Sequence, residues 1–172
     1  MNEKQLKTII ENKEELDKKI EEYLTKKILL KQEISDGEIK GHIEKSEHNL
    51  KFSKDTLKQG YSDWALIGFY YSAYHISLAL LLKRGYYSKN HDATLCVLIK
   101  HYYGKEISKE DLDLLNLIYL DYQDILFYVQ SKQEREKASY SSQRIFKKEL
   151  INEVEMKTIL FVNKCKEILK NE

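Results

Sequence analysis

Proline is absent from the 172 residues and glycine occurs only six times. Nothing along the chain therefore strips a helix of a backbone donor, and little favours tight hairpins. Alternating β-branched stretches bounded by turns are missing too, which excludes a β-sandwich or barrel. The only two cysteines, Cys96 and Cys165, lie far apart without metal-ligand spacing. That excludes a disulfide-stapled or zinc-bound scaffold and suits reduced core thiols. No wholly apolar run approaches the roughly 20 residues that span a bilayer. The opening MNEKQLKTIIENKEEL lacks the apolar centre of a secretory leader. These absences predict a cytoplasmic protein with no membrane partner. Excess charge is missing as well: at a net +1, no whole-molecule field draws the chain onto nucleic acid. Any electrostatic footprint has to be local.

What is present is helical. Hydrophobic residues make up 42% and charged residues 33%, which describes one core under a heavily charged surface. Leu6, Ile9, Ile10, Leu16, Ile20, Leu24 and Ile28 form one stripe and predict an amphipathic helix over 2–34. Ser35-Asp36-Gly37 breaks it and caps the next helix, over 38–59. In that helix Ile39, Ile43, Ser46, Leu50, Ser53 and Leu57 make a narrow seam whose serines allow close approach. Gly60 ends it. Ser62 is the predicted cap of a helix over 63–83 that is apolar on most sides and therefore central. Gly85 stops that helix, a short helix follows over 92–103, and Gly104 closes it. Ser108-Lys-Glu-Asp111 reads as a capping box for a helix over 109–136, and Asn152 with Glu155 as another for 153–170. The expected architecture is all-α: an up-and-down four-helix bundle over 37–172, with a short helix between its second and third bundle helices. Residues 1–36 form an N-terminal amphipathic helical extension.

KQGYSDWALIGFYYSAYHISLALLLKRG, the loop SKNHD at 88–92 and REKASY at 135–140 occur in an order that resembles the small prokaryotic HEPN-domain proteins. The resemblance covers about residues 37–170. It implies a HEPN-like bundle that homodimerises and is often encoded beside a minimal nucleotidyltransferase in a toxin–antitoxin module. Many members are metal-independent ribonucleases using Arg-x4-6-His. This chain departs from that pattern, because the positions four to six intervening residues beyond Arg135 are Tyr140, Ser141 and Ser142. The arginine common before the Tyr-Tyr pair is replaced by Gly68.

The candidate site residues follow. Tyr70, Tyr74, Leu78 and Leu81 follow one helical stripe, and Tyr71, His75 and Leu82 a neighbouring one, a spacing that favours packing over a ligand role. Between Ser131 and Lys148 stand six basic residues, Lys132, Arg135, Lys137, Arg144, Lys147 and Lys148, against Glu134 and Glu136. A net +4 in a nearly neutral chain predicts a phosphate patch for RNA or a nucleotide, with Tyr140 able to stack on a base. RNA cleavage without metal needs a base, an acid and a cation. Arg135 supplies the cation, Tyr140 is a poor base at neutral pH, and His91 is the nearest imidazole in family terms. Arg135, Tyr140 and His91 are thus the catalytic candidates. Arg84 also precedes His91 at a six-residue interval, but after the wrong helix. Glu44 and His48 lack the second copy that a di-metal bundle needs. No metal and no cofactor are expected, and His42 and His48 are assigned to the surface. The reading is an RNA- or nucleotide-binding protein of a defence module. The alternatives are an active ribonuclease with displaced catalytic groups and a bundle that only binds protein partners.

Overall fold

The computed structural model describes residues 1–116 and 148–171. Helix α1 (Glu3–Glu11) begins with a reciprocal cap. The Gln5 amide donates to Asn2 Oδ1 at 2.9 Å, and the Asn2 amide donates to Gln5 Oε1 at 3.0 Å. Asn12 then takes an extended conformation and caps α2 (Lys13–Thr25) by accepting from the Glu15 amide. The single helix expected over 2–34 is thereby corrected to two. It also ends earlier, because Lys27 turns through a positive φ of 55°. β1 (Leu29–Lys31) follows and pairs antiparallel with β2 (Tyr86–Ser88), Leu29 opposite Ser88 and Lys31 opposite Tyr86. The helical spacing that carries the stripe to Ile28 stops here, and Leu29 is drawn into the core. Three-residue strands carry too little alternation to register as strands in a sequence. The fold remains all-α, with a two-stranded ribbon added.

Ser35 caps α3 (Asp36–Lys58) through the Glu38 amide. Gly60, at φ +88°, turns the chain into α4 (Ser62–Lys83). Ser62 proves to be the first helical residue and not the cap; Tyr61 occupies the cap position without a side-chain bond. α4 is central as expected, packed by α3, β2, α5 and a C-terminal helix, Lys148–Asn171. By length and composition alone it could cross a bilayer, yet 83% of its most apolar window is buried inside the protein. Gly85, at φ +72°, ends it.

α5 (His91–Tyr102) is capped by Asn90, which accepts from the Ala93 amide. Residues 109–116 are the described part of α6, and the rest of the helix expected over 109–136 lies outside the described residues. Its predicted capping box is present: the Ser108 amide donates to Asp111 Oδ2 at 2.9 Å, and the Asp111 amide to Ser108 Oγ at 3.4 Å. The C-terminal helix, α7 (Lys148–Asn171), is already helical five residues before the expected start, so Asn152 lies inside the helix and caps nothing. Ile151, Val154, Phe161, Val162, Cys165 and Ile168 of α7 are buried. Its lysines tie the bundle together, Lys164 pairing with Asp111 of α6 and Lys166 with Glu47 of α3.

The N-terminal helices join the same core. Leu6, Ile9, Leu16, Ile20 and Tyr23 cluster with residues of α4 and α5, and Lys100 of α5 reaches Asp17 at 2.7 Å. Removing residues 1–34 would uncover this face of α5, and an apolar surface of that size is sticky. The expected result is a lower melting temperature with aggregation, read by calorimetry and light scattering. A truncated protein that melts like the full chain and stays dispersed would refute the packing described.

Candidate functional site

The α3–α4 pair owes its closeness to small residues. Ser46 Oγ donates to the Ser72 carbonyl at 2.7 Å, and Ser72 Oγ returns a bond to the Ser46 carbonyl at 2.9 Å. Farther along the seam Gly68 faces Ser53, and a β-carbon at 68 would lie 2.2 Å from Ser53 Oγ. The serine seam expected from spacing is therefore real, and it leaves no room at 68 for the arginine that the family resemblance would place there.

One turn from Ser46 in the other direction, the same register brings His42 against His75. Their Nδ1 atoms are 2.9 Å apart and their ring centroids 5.1 Å. The two nitrogens thus lie almost on the line joining the rings, the geometry of an N–H···N hydrogen bond. His42 is not the surface residue expected; it is half-buried, whereas His48 is exposed. His75 is only 9% exposed. Burial pushes both imidazoles below their ordinary range, His75 to about 4, with the Lys45 ammonium adding to the effect at each. Both rings are neutral at physiological pH.

Tyrosines flank the pair. Tyr71 lies nearly parallel to His75 at 6.3 Å, and Tyr74 is tilted against it at 6.2 Å. Tyr70 stacks on Tyr74 at 5.7 Å and is 7% exposed, so it serves the core. Tyr71 and Tyr74 are half-buried. Beside His42 opens a cleft of about 540 Å³ lined by Leu30, Gln32, Glu38, His42, Lys45 and Tyr87, among others. The β-ribbon forms one wall and α3 the other. Gln32 Nε2 donates to Glu38 Oε2 at 2.8 Å across it.

Of the catalytic candidates read from the sequence, only His91 falls on described residues. It is the first residue of α5, 3% exposed, with its ring 6.3 Å from Tyr70. Burial first, and then the nearby amino terminus, push its pKa down to about 3. Arg84 donates from Nε to the Tyr102 hydroxyl at 3.2 Å and lies over that ring. Lys132, Arg135, Lys137, Tyr140, Arg144 and Lys147 lie outside the described residues. Among the described residues no three His, Cys, Asp or Glu side chains gather to hold a metal ion. Cys96 and Cys165 are free and buried, and burial pushes the Cys96 thiol up to about 12.

The histidine pair is legible only in part from the sequence. His42 is three residues from Ile39 and four from Ser46, so it borders the seam, but its partner depends on a register that a single helix pattern does not supply. A model of the HEPN domain family matches residues 39–154, from the first turn of α3 into α7. No curated protein matches the chain.

Proposed function

The chain belongs to the HEPN-domain family, and from that premise we propose that it binds RNA or a nucleotide within a toxin–antitoxin or related defence module. The observation that carries this reading is the imidazole–tyrosine face of α4. Tyr71 and Tyr74 are half-buried beside His75, and their rings would be the surface on which a base stacks. Lys45 and His42 line the adjoining cleft, where a phosphate would sit. The net +4 of residues 131–148 adds the long-range attraction that the nearly neutral remainder lacks. Lys132, Arg135, Lys137, Arg144 and Lys147 supply phosphate contacts in this reading, and Tyr140 a stacking ring.

The family context further proposes a cytoplasmic homodimer with a minimal nucleotidyltransferase as its partner. Phe52, Tyr61 and Trp64, all exposed where α3 meets α4, are the apolar surface such an assembly would cover.

The experiment is an RNA-binding titration at several salt concentrations. Affinity is expected to fall by about 0.7 log unit per log unit of salt for each single-strand phosphate contact. Replacing Arg135, Arg144 and Lys147 with alanine should flatten that slope while helicity survives. Binding that ignores salt and the triple substitution alike would remove the basic segment from the reading.

A further inference from the structure

The cleft between the β-ribbon and α3 holds about 540 Å³, a volume typical of small-molecule sites. Antiparallel pairing sets Leu30 opposite Tyr87, so an aliphatic and an aromatic side chain stand side by side on one wall. Glu38, Gly41, His42 and Lys45 line the other. Glu38 and Lys45 are two helical turns apart on one face of α3, a span of about 10 Å along the axis.

The polar groups at the Glu38 end accept hydrogen bonds. Gln32 Nε2 donates to Glu38 Oε2 at 2.8 Å, and a carboxylate can only accept, which fixes the orientation of the amide. Gln32 Oε1 and the remaining carboxylate lone pairs are then neighbouring acceptors. They suit a ligand edge with two adjacent N–H donors. Among the bases only guanine has such an edge, in N1–H and N2–H2. Adenine and cytosine set a ring acceptor beside their amino group, and uracil flanks its N3–H with two carbonyls. An arginine side chain also has adjacent donors, but Lys45 lines the far end of the cleft, and a cation there favours an anionic ligand.

Gly41 lies between the two ends. A β-carbon there would meet nothing within 4 Å, so packing gives no reason for a glycine inside α3, where it weakens the helix. Its bare backbone lets a ligand lie close against the helix.

We propose that this cleft binds guanine, with the purine against Leu30 and Tyr87, its N1–H and N2–H2 edge on Glu38 and Gln32, and its phosphate toward Lys45. The proposal deepens the RNA-or-nucleotide reading above and rests on it. Leu30, Gln32 and Glu38 precede the residues that the HEPN model matches, so the selecting side chains lie outside the family's domain.

The test titrates the full chain with GMP, IMP, AMP and guanosine by calorimetry. GMP is expected to bind about tenfold or more tighter than AMP, and than IMP, which lacks only the N2 amino group. Guanosine, without the phosphate, should bind more weakly than GMP, and Lys45→Ala should erase that difference. Glu38→Gln should cost GMP about tenfold or more and leave AMP unchanged. Gly41→Leu should lose GMP although it melts no lower than wild type, which separates a blocked cleft from a damaged fold. Oligouridylate with and without a single guanosine tells a guanine of RNA from a free nucleotide. Guanine preference in either arm, or in both, upholds the site. Binding of nucleotides and RNA without that preference overturns the proposal and leaves the binding reading standing. A preference that survives Glu38→Gln and Gly41→Leu also overturns it, as does an arginine peptide that binds through Glu38 where GMP does not. Absence of any RNA or nucleotide binding removes both readings.

Discussion

Gly68→Leu is expected to lower the melting temperature by about 10 °C, at a cost of about 3 kcal/mol. Gly68 lies within α4 with its α-carbon turned to Ser53, and even a β-carbon would fall 2.2 Å from Ser53 Oγ and 3.2 Å from the Phe52 ring. Alanine there gains about 1 kcal/mol in helix propensity. It must also push aside a hydroxyl that donates to the Asn49 carbonyl at 2.7 Å, worth about 1 kcal/mol. The two effects nearly cancel, so Gly68→Ala should move the melting point little. A larger side chain cannot be placed by rotating one hydroxyl and forces the helices apart. Arginine should do worse than leucine, since its charge would enter a buried seam. Pairing Gly68→Ala with Ser53→Gly should give a stability above the sum of the two changes, because one relieves the other. Thermal unfolding of the set decides the matter; a leucine variant that melts with wild type would mean that the seam is looser than described. The arginine of the family pattern therefore cannot be restored in this chain by one substitution.

Acid should unfold the protein well above the pH at which most domains fail. His75 and His91 are held neutral by burial, at about 4 and about 3 against an ordinary 6.5. As pH falls below 6.5 the unfolded chain takes up protons that the folded one refuses, so stability declines. It is complete above pH 6.5 and lost progressively as pH approaches the two folded values. At 1.36 kcal/mol per unit, the deeply buried His91 accounts for at most about 5 kcal/mol, reached only below pH 3, and the less enclosed His75 adds a smaller amount after solvent screening. Glu38, Lys45, His42, Tyr71 and Tyr74 surround the histidine pair; Asp92, Tyr70 and the amino terminus surround His91. The carboxylates of Asp17 and Glu22, lowered by lysine partners, push in the same direction. Urea midpoints should drop between pH 7 and pH 4.5, and His75→Phe should flatten the decline. Equal midpoints at both pH values would show that the rings are not neutralised by burial.

The helices are legible where punctuation and spacing agree. Gly60, Gly85 and Gly104 each end an element at positive φ, and Ser46 and Ser53 fall on the seam that their spacing assigns them. Asn12 is hidden because it interrupts a run of lysines and glutamates that stays helical on both sides, so only its cap geometry reveals the break. Asn152 and Glu155 imitate a cap that the preceding turn makes unnecessary, and so spacing alone starts α7 late. At the site, the spacing of the tyrosine cluster favours packing, which holds for Tyr70. The His42–His75 contact joins positions 33 apart and requires the hairpin register. That register follows from the serine pair 46–72, which places 42 beside 75.

The β-ribbon carries a consequence for the order in which the chain assembles. Leu29 pairs with Ser88 across the whole α3–α4 hairpin, so the ribbon cannot close before that hairpin has brought its ends together. Three residue pairs are too few to nucleate alone. The hairpin, with its short connection at Gly60, is the local unit that forms first, and the ribbon then fastens α1 and α2 onto it. In the reverse direction the ribbon is the latch. Its opening takes away one wall of the cleft beside His42, while α1 and α2 stay docked through their buried apolar face and the Lys100–Asp17 pair.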